Sequence, residues 1–181
     1  MNTEKELPSR KRLRWQNFDY SSPGAYFITV CTHNRKCTLS HITPSIHSAT
    51  SQENLPEIKL TQYGKIVDAV ISTLSAQSNV IVDKYVIMPN HIHLIIIITD
   101  NEELRAIRES PLRRRSIISK TIGYIKMNAS KQIQLAHGKT AVWQRGFHDH
   151  VIRDRRDFEE ISKYIYENPL KWRHDKLYAE D

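Results

Sequence analysis

The stretch DKYVIMPNHIHLIIIITD, Asp83 to Asp100, constrains the fold more than any other part of the chain. Leu94 to Ile98 are five consecutive aliphatic residues, four of them β-branched, so the segment favours a strand over a helix. A strand without polar alternation is one covered on both faces. Because successive side chains alternate, Leu94 and Ile96 face one layer, while Ile95 and Ile97 need a cover on the other. His91 and His93 fall on that second face, with Ile92 pointing away. Pro89 and Asn90 break the segment into two strands joined by a turn.

The remaining elements follow from periodicity. AYFITVCTHNR predicts a first strand over Tyr26 to Thr32. TQYGKIVDAVISTLSAQ, from Thr61, spaces Tyr63, Ile66, Val67, Val70, Ile71 and Leu74 as an amphipathic helix. PLRRRSIISKTIGYIKMNASKQIQ puts Leu112, Ile118, Ile122, Ile125 and Ala129 on one stripe of a second, strongly basic helix. AVWQRGFHDHVIRD returns to strand character, and RDFEEISKYIYENPLKW closes the chain with a helix that Asp154 or a neighbour caps and Pro169 ends. Residues 1–9 read as a loose tail. Residues 41–57, polar with two prolines, read as a loop or insertion.

The order strand, helix, strand, strand, helix, strand, helix predicts one α+β domain spanning 1–181. Its mainly antiparallel sheet, ferredoxin-like or RRM-like, carries two helices on one face. The last helix is the element left to cover the histidine face.

Two imidazoles two residues apart on one strand face form a ligand pair for a divalent cation, with coordination positions left for phosphate and water. His148 and His150 share this spacing and form a rival pair. In the last helix Tyr164 and Asn168 are four residues apart and share a face, whereas Tyr166 lies about 200° around the axis from Tyr164. A phenol is a poor nucleophile at neutral pH, since its ordinary pKa is about 10. A phosphate neutralised by a metal is easier to attack, and a nearby cation favours the phenolate.

Lys and Arg outnumber Asp and Glu by 27 to 20, a net charge of +7, which suits a polyanionic partner. Arg10, Lys11, Arg12 and Arg14 cluster near the N-terminus, and Arg113, Arg114, Arg115, Lys120 and Lys126 lie in or before the second helix. They are candidates to hold a phosphate backbone. Trp15, Trp143 and Phe147 are candidates to stack on bases, or to pack in the core. Two cysteines, Cys31 and Cys37, form no spaced framework and fit a reducing cytoplasm. The longest apolar run is far too short to cross a bilayer, and the N-terminus lacks an apolar signal core, so no membrane role is expected.

Three segments together resemble the REP-associated tyrosine transposases, a branch of the single-tyrosine transposases in the HUH endonuclease superfamily. RLRWQNFDYSSPGAYFITVCTHNR resembles the family's opening segment, DKYVIMPNHIHLIII its His-hydrophobic-His strand, and VWQRGFHDHVIRDRRDFEEISKYIYENPLKW its tyrosine helix ending in Asn-Pro. They extend from about residue 10 to Trp172. The resemblance implies metal-binding His91 and His93, a nucleophilic Tyr164, and Asn168 as the polar helix residue completing the metal site. It implies cleavage and joining of single-stranded DNA at hairpins of repetitive extragenic palindromes, with Mg²⁺ or Mn²⁺ and a 5′-phosphotyrosine intermediate. It further implies work in the bacterial cytoplasm at the nucleoid, as monomer or homodimer. A nucleic-acid-binding regulator that keeps the fold but no longer cuts is the alternative.

Overall fold

The computed structural model describes residues 22–43, 56–74, 79–100 and 116–179. Four strands form one antiparallel sheet: β1 (Gly24–Cys31), β4 (Val80–Ile87), β5 (His91–Ile98) and β6 (His148–Ile152). Their order across the sheet is β4-β5-β1-β6. With helix α1 (Gln62–Leu74) between β1 and β4 and helix α2 (Ile117–His137) between β5 and β6, this is the ferredoxin-like arrangement expected from the element order.

The double cover on β5 explains its unbroken aliphatic run. Ile92, Leu94, Ile96 and Ile98 pack with Tyr26, Ile28 and Val30 of β1 against α1 and α2. Ile95 and Ile97 turn to the other face, where helix α3 (Arg155–Glu167) covers them with Phe158, Ile161 and Ile165. These residues recur at three- and four-residue intervals, which gives α3 its apolar stripe. Its start is secured by Asp154, whose side chain accepts a hydrogen bond from the Asp157 N–H at 2.9 Å. The helix stops at Glu167, two residues before Pro169.

The segment read as a loop is partly strand. Ser40–Thr43 (β2) pairs antiparallel with Glu57–Leu60 (β3), so His41, Ile42, Thr43 and Glu57 correct that expectation. The reason is the direct opposition of Ile42 and Ile58, which join the cluster beneath α3. The alternation in HIT and EIKL is too short to register as a period. The first strand begins at Gly24 rather than Tyr26, and the last sheet strand is limited to five residues, with Trp143 making only an isolated bridge to Thr32. Cys31 and Cys37 form no disulfide among the described residues. No helix among the described residues is long and apolar enough to cross a membrane.

Candidate active site

The β4–β5 connection is a tight turn in which the Met88 N–H donates to the His91 carbonyl at 2.9 Å. It brings the chain back with His91 and His93 on the α3 face, opposite Cys31 and Thr29 of β1. Both imidazoles are buried, His91 completely and His93 to within 2%. Their Nε2 atoms face each other at 3.0 Å. The outer nitrogens are also engaged: His91 Nδ1 lies 2.8 Å from Asn90 Oδ1, and His93 Nδ1 lies 2.9 Å from Thr29 Oγ1.

Helix α3 brings Tyr164 to this pair. Its hydroxyl lies 3.4 Å from His93 Nε2, and the ring meets His93 edge-on with centroids 5.3 Å apart. Tyr164 is 40% exposed, so the phenol forms the open side of a site whose other members are enclosed. Asn168 follows one turn later, buried, where the helix ends.

Sequence reasoning missed Asp175. The chain leaves α3 through Pro169, forms a short 3₁₀ turn at Trp172–His174, and folds back over the site. Asp175 accepts hydrogen bonds on Oδ2 from the Tyr164 hydroxyl at 3.3 Å and from Asn168 Nδ2 at 3.0 Å. Its other oxygen accepts from the Leu177 N–H at 2.6 Å. The returning segment is tied down by Asn90, which donates from Nδ2 to the Leu177 carbonyl at 2.7 Å, and by Trp172, whose ring lies 5.9 Å from that of His91. Acidic residues in a polar tail carry no spacing signal, and only the return of the chain makes this one significant.

The imidazoles are held in the form that binds metals. Burial pushes His91 down to about 4; the Asp175 carboxylate works against that shift and the Arg35 charge adds to it. Burial also holds His93 well below the ordinary range, helped by His91. Both rings are therefore neutral at pH 7, as metal ligation requires. The Tyr164 phenol is pushed up to about 12, first by burial and then by the negative charge and hydrogen bond of Asp175, with Asn168 opposing. It carries its proton at neutral pH.

The donor set suits a divalent cation. His91, His93 and Asp175 each offer a ligand atom, all within 4.8 Å of one another. Asn168 Oδ1 is buried and receives no hydrogen bond, an arrangement that costs about 1–3 kcal/mol unless something electropositive answers it. Two imidazole nitrogens, a carboxylate and an amide oxygen are donors that a borderline or hard divalent cation accepts.

A cleft of about 760 Å³ opens beside Tyr164, His93 and Asp175. Phe27, His148, Lys171, His174 and Lys176 border it, so its rim is largely cationic or aromatic.

The rival histidines part company. His148 reaches the rim of this cleft, whereas His150 Nε2 lies 2.9 Å from the Asp157 carboxylate in the first turn of α3. Neither belongs to a metal-ligand cluster among the described residues. Tyr166, 56% exposed, faces a different groove beside Asp83 to Val86.

Of the basic residues singled out, Arg10, Lys11, Arg12, Arg14, Arg113, Arg114 and Arg115 lie outside the described residues, as do Trp15 and Leu112. Lys120 is exposed on α2. Lys126 is committed internally: its ammonium donates to the Gln144 carbonyl at 2.7 Å and to that of Gly146, and burial lowers it to about 8. It fastens the loop before β6. Trp143 and Phe147 are partly buried and pack against the core between the sheet and the first two helices.

Fold and site together define a class of protein in which a phenol on a covering helix answers two imidazoles on a ferredoxin-like sheet. No family model matches the chain. A Haemophilus influenzae protein named for the REP-associated tyrosine transposases is 33% identical over 153 residues, 84% of this chain and 74% of its own length. The chain belongs to the REP-associated tyrosine transposases. An uncharacterised H. influenzae protein is 31% identical over 182 residues, 94% of either chain. The Escherichia coli K12 REP-associated tyrosine transposase is 24% identical over 152 residues, 84% of this chain and 70% of its own. The solved structure of a REP-associated tyrosine transposase bound to a REP hairpin shares the fold, with a TM-score of 0.54 at 22% identity, covering 87% of this chain and 73% of that one.

Proposed function

We propose that the protein nicks and rejoins single-stranded DNA beside hairpins of palindromic repeats, with Tyr164 as the nucleophile. The observation that carries this reading is the Tyr164 hydroxyl 3.4 Å from His93 Nε2, at the open side of a donor set made of two buried imidazoles and the half-buried Asp175. A phenol this near the imidazole pair is within reach of a phosphate bound to a cation that the pair would hold.

His91, His93, Asp175 and Asn168 would hold one divalent cation, Mg²⁺ or Mn²⁺. When bound, the ion supplies charge neutralisation and polarisation at the scissile phosphate. Tyr164 Oη forms a bond to phosphorus as the bond from phosphorus to the 3′-oxygen breaks. The phenol hydrogen passes to solvent water in the cleft, and the departing 3′-oxygen takes a proton from solvent to become a hydroxyl. The product is a 5′-phosphotyrosine that keeps the phosphodiester energy, so a 3′-hydroxyl can reverse the step and join strands without ATP. Lys176 on the cleft rim, and Lys171 beside its partner Glu167, suit the anionic strand entering it.

Relatives named as REP-associated tyrosine transposases and a related structure bound to a REP hairpin support hairpin DNA as the substrate class. Incubating the protein with labelled hairpin DNA carrying a single-stranded flank and Mn²⁺, then resolving products on a denaturing gel, tests the reading. A covalent protein–DNA band is expected from the native chain and none from Tyr164→Phe, with hairpin binding retained. Hairpin binding without any adduct from the native chain would instead establish the non-cleaving regulator, and adduct from Tyr164→Phe would refute the assignment of the nucleophile.

A further inference from the structure

The hydrogen placement around the two imidazoles is decided at one ring and reversible at the other. A carbonyl only accepts hydrogen bonds, so the atom of Asn90 that lies 2.7 Å from the Leu177 carbonyl is the NH₂ group. Asn90 Oδ1 therefore faces His91, and the His91 Nδ1 at 2.8 Å carries the hydrogen. In a neutral imidazole the other nitrogen then has a lone pair, so His91 Nε2 is always an acceptor or a ligand.

His93 has no such constraint. Its Nδ1 faces Thr29 Oγ1 at 2.9 Å, and a hydroxyl either donates or accepts. Its Nε2 faces the His91 lone pair at 3.0 Å, a hydrogen-bond distance. Two lone pairs do not oppose each other there with nothing positive between them. With no cation between the rings, His93 Nε2 holds a hydrogen and donates it to His91, Nδ1 is the acceptor, and Thr29 donates. With a cation, both Nε2 atoms present lone pairs, the His93 hydrogen sits on Nδ1, and Thr29 accepts.

We propose that Thr29 is a positioning residue that lets His93 exchange tautomers between these two arrangements. The inference rests on the cation-binding reading of the pair given above. One hydrogen leaves Nε2 for solvent and one arrives at Nδ1, so the ring stays neutral throughout and the net proton count does not change. Thr29 lines the cleft beside His93, which gives the exchange a route to water. Asn90 plays the opposite part, since its two hydrogen bonds lock His91 in the ligating tautomer. The site thus has one fixed nitrogen donor and one that becomes a donor when its hydroxyl partner turns.

Two measurements on the full chain test this. The first is ¹⁵N NMR of histidine-labelled protein, with Zn²⁺ as a diamagnetic probe. Without metal, His91 should be protonated at Nδ1 and His93 at Nε2. With Zn²⁺, both should be protonated at Nδ1. Finding His93 already protonated at Nδ1 without metal, or His91 changing tautomer, overturns the proposal. The second is Mn²⁺ affinity by electron paramagnetic resonance for the native chain, Thr29→Val and Thr29→Ser, with circular dichroism confirming that each folds. Loss of an outer partner of a metal-ligating histidine typically weakens binding about 10–100-fold. Thr29→Val should show such a loss, because the ligating tautomer leaves a buried N–H without an acceptor. Thr29→Ser should bind within about threefold of the native chain, because the serine hydroxyl can play both parts. Native-like binding by Thr29→Val overturns this proposal alone, whereas failure of the native chain to bind any divalent ion overturns the metal-dependent reading with it.

Discussion

Gly64 in α1 offers a test of how the histidine strand is held in place. A Cβ at Gly64 would lie 2.0 Å from the Leu39 carbonyl oxygen and 3.3 Å from Leu60 Cβ, whereas real Cβ contacts do not fall below 3.0 Å. The carbonyl or the helix must withdraw by the difference, about 1 Å. The carbonyl is not free to move. It accepts from the Thr61 N–H at 2.9 Å and from the Thr61 hydroxyl at 3.0 Å, and the same residue's N–H donates to the Pro89 carbonyl at 2.9 Å. Helix propensity favours alanine over glycine by about 1 kcal/mol. Against it stand an overpacking cost of about 1–3 kcal/mol and weakening of a hydrogen bond of about 1 kcal/mol. Gly64→Ala should therefore lose about 1–3 kcal/mol, a fall in Tm of about 2–12 °C at about 2–4 °C per kcal/mol for a domain of this size. Gly123 in α2 is the control, since nothing lies within 4 Å of a Cβ there, and Gly123→Ala should gain about 0.5–1 kcal/mol. Thermal and urea unfolding of both variants decide the matter. Equal or raised stability for Gly64→Ala would show that the approach of α1 to the Pro89 turn is not the close contact described. Because Leu39 holds Pro89, the residue before Asn90, the same variant should also weaken Mn²⁺ binding.

Acid should destabilise the fold through the buried histidines. His91 sits near 4 when folded, against 6.5 for a free imidazole, so between those values the unfolded chain binds a proton that the folded chain does not. This contribution to stability is full above about pH 6.5 and is lost as pH falls toward 4, with His93 acting in the same direction; urea midpoints that stay level from pH 7 to 5 would contradict it. Asp175→Asn should lower the Tyr164 phenol from about 12, though not to 10, because burial is the larger cause and remains; tyrosinate absorbance against pH reads the shift, and no change would remove Asp175 from the phenol's surroundings. Tyr166→Phe should leave the covalent adduct intact, since that ring faces another groove, and loss of adduct would reopen which tyrosine reacts. Lys176→Ala should weaken single-strand binding and reduce its salt slope by about one contact, measured by fluorescence anisotropy; an unchanged slope would move the strand's path elsewhere.

The framework of the site was legible because it rests on local periodicity. Alternation placed His91 and His93 with Ile95 and Ile97, and the need to cover those isoleucines pointed to α3. The same helical spacing separated Tyr164 from Tyr166. What stayed hidden depends on contacts between distant segments. Thr29 matters only because β1 and β5 pair in the register that sets it opposite His93, and nothing in AYFITVC marks one threonine as special. Lys126 looked like one cation of a basic helix, yet its ammonium is spent on two carbonyls of a loop some twenty residues on. That the rival pair His148 and His150 does not act together likewise turned on Asp157, a residue of the next helix that takes His150.

Asp175 gives the sharpest form of this distinction. A carboxylate beside two neutral imidazoles and an unanswered amide oxygen converts a pair of candidate ligands into a candidate four-donor set, and it also accepts a hydrogen bond from the Tyr164 hydroxyl. It arrives by no pattern, only because Trp172 packs near His91 and Asn90 holds Leu177. Asn90 thus serves both ends of the site with one side chain: its oxygen orients His91, and its nitrogen anchors the segment that delivers Asp175. The turn residue read from sequence as a break between strands is therefore what couples the histidine strand to the returning tail. A substitution there should disturb ligand geometry and phenol placement together, whereas Thr29→Val should disturb only the first.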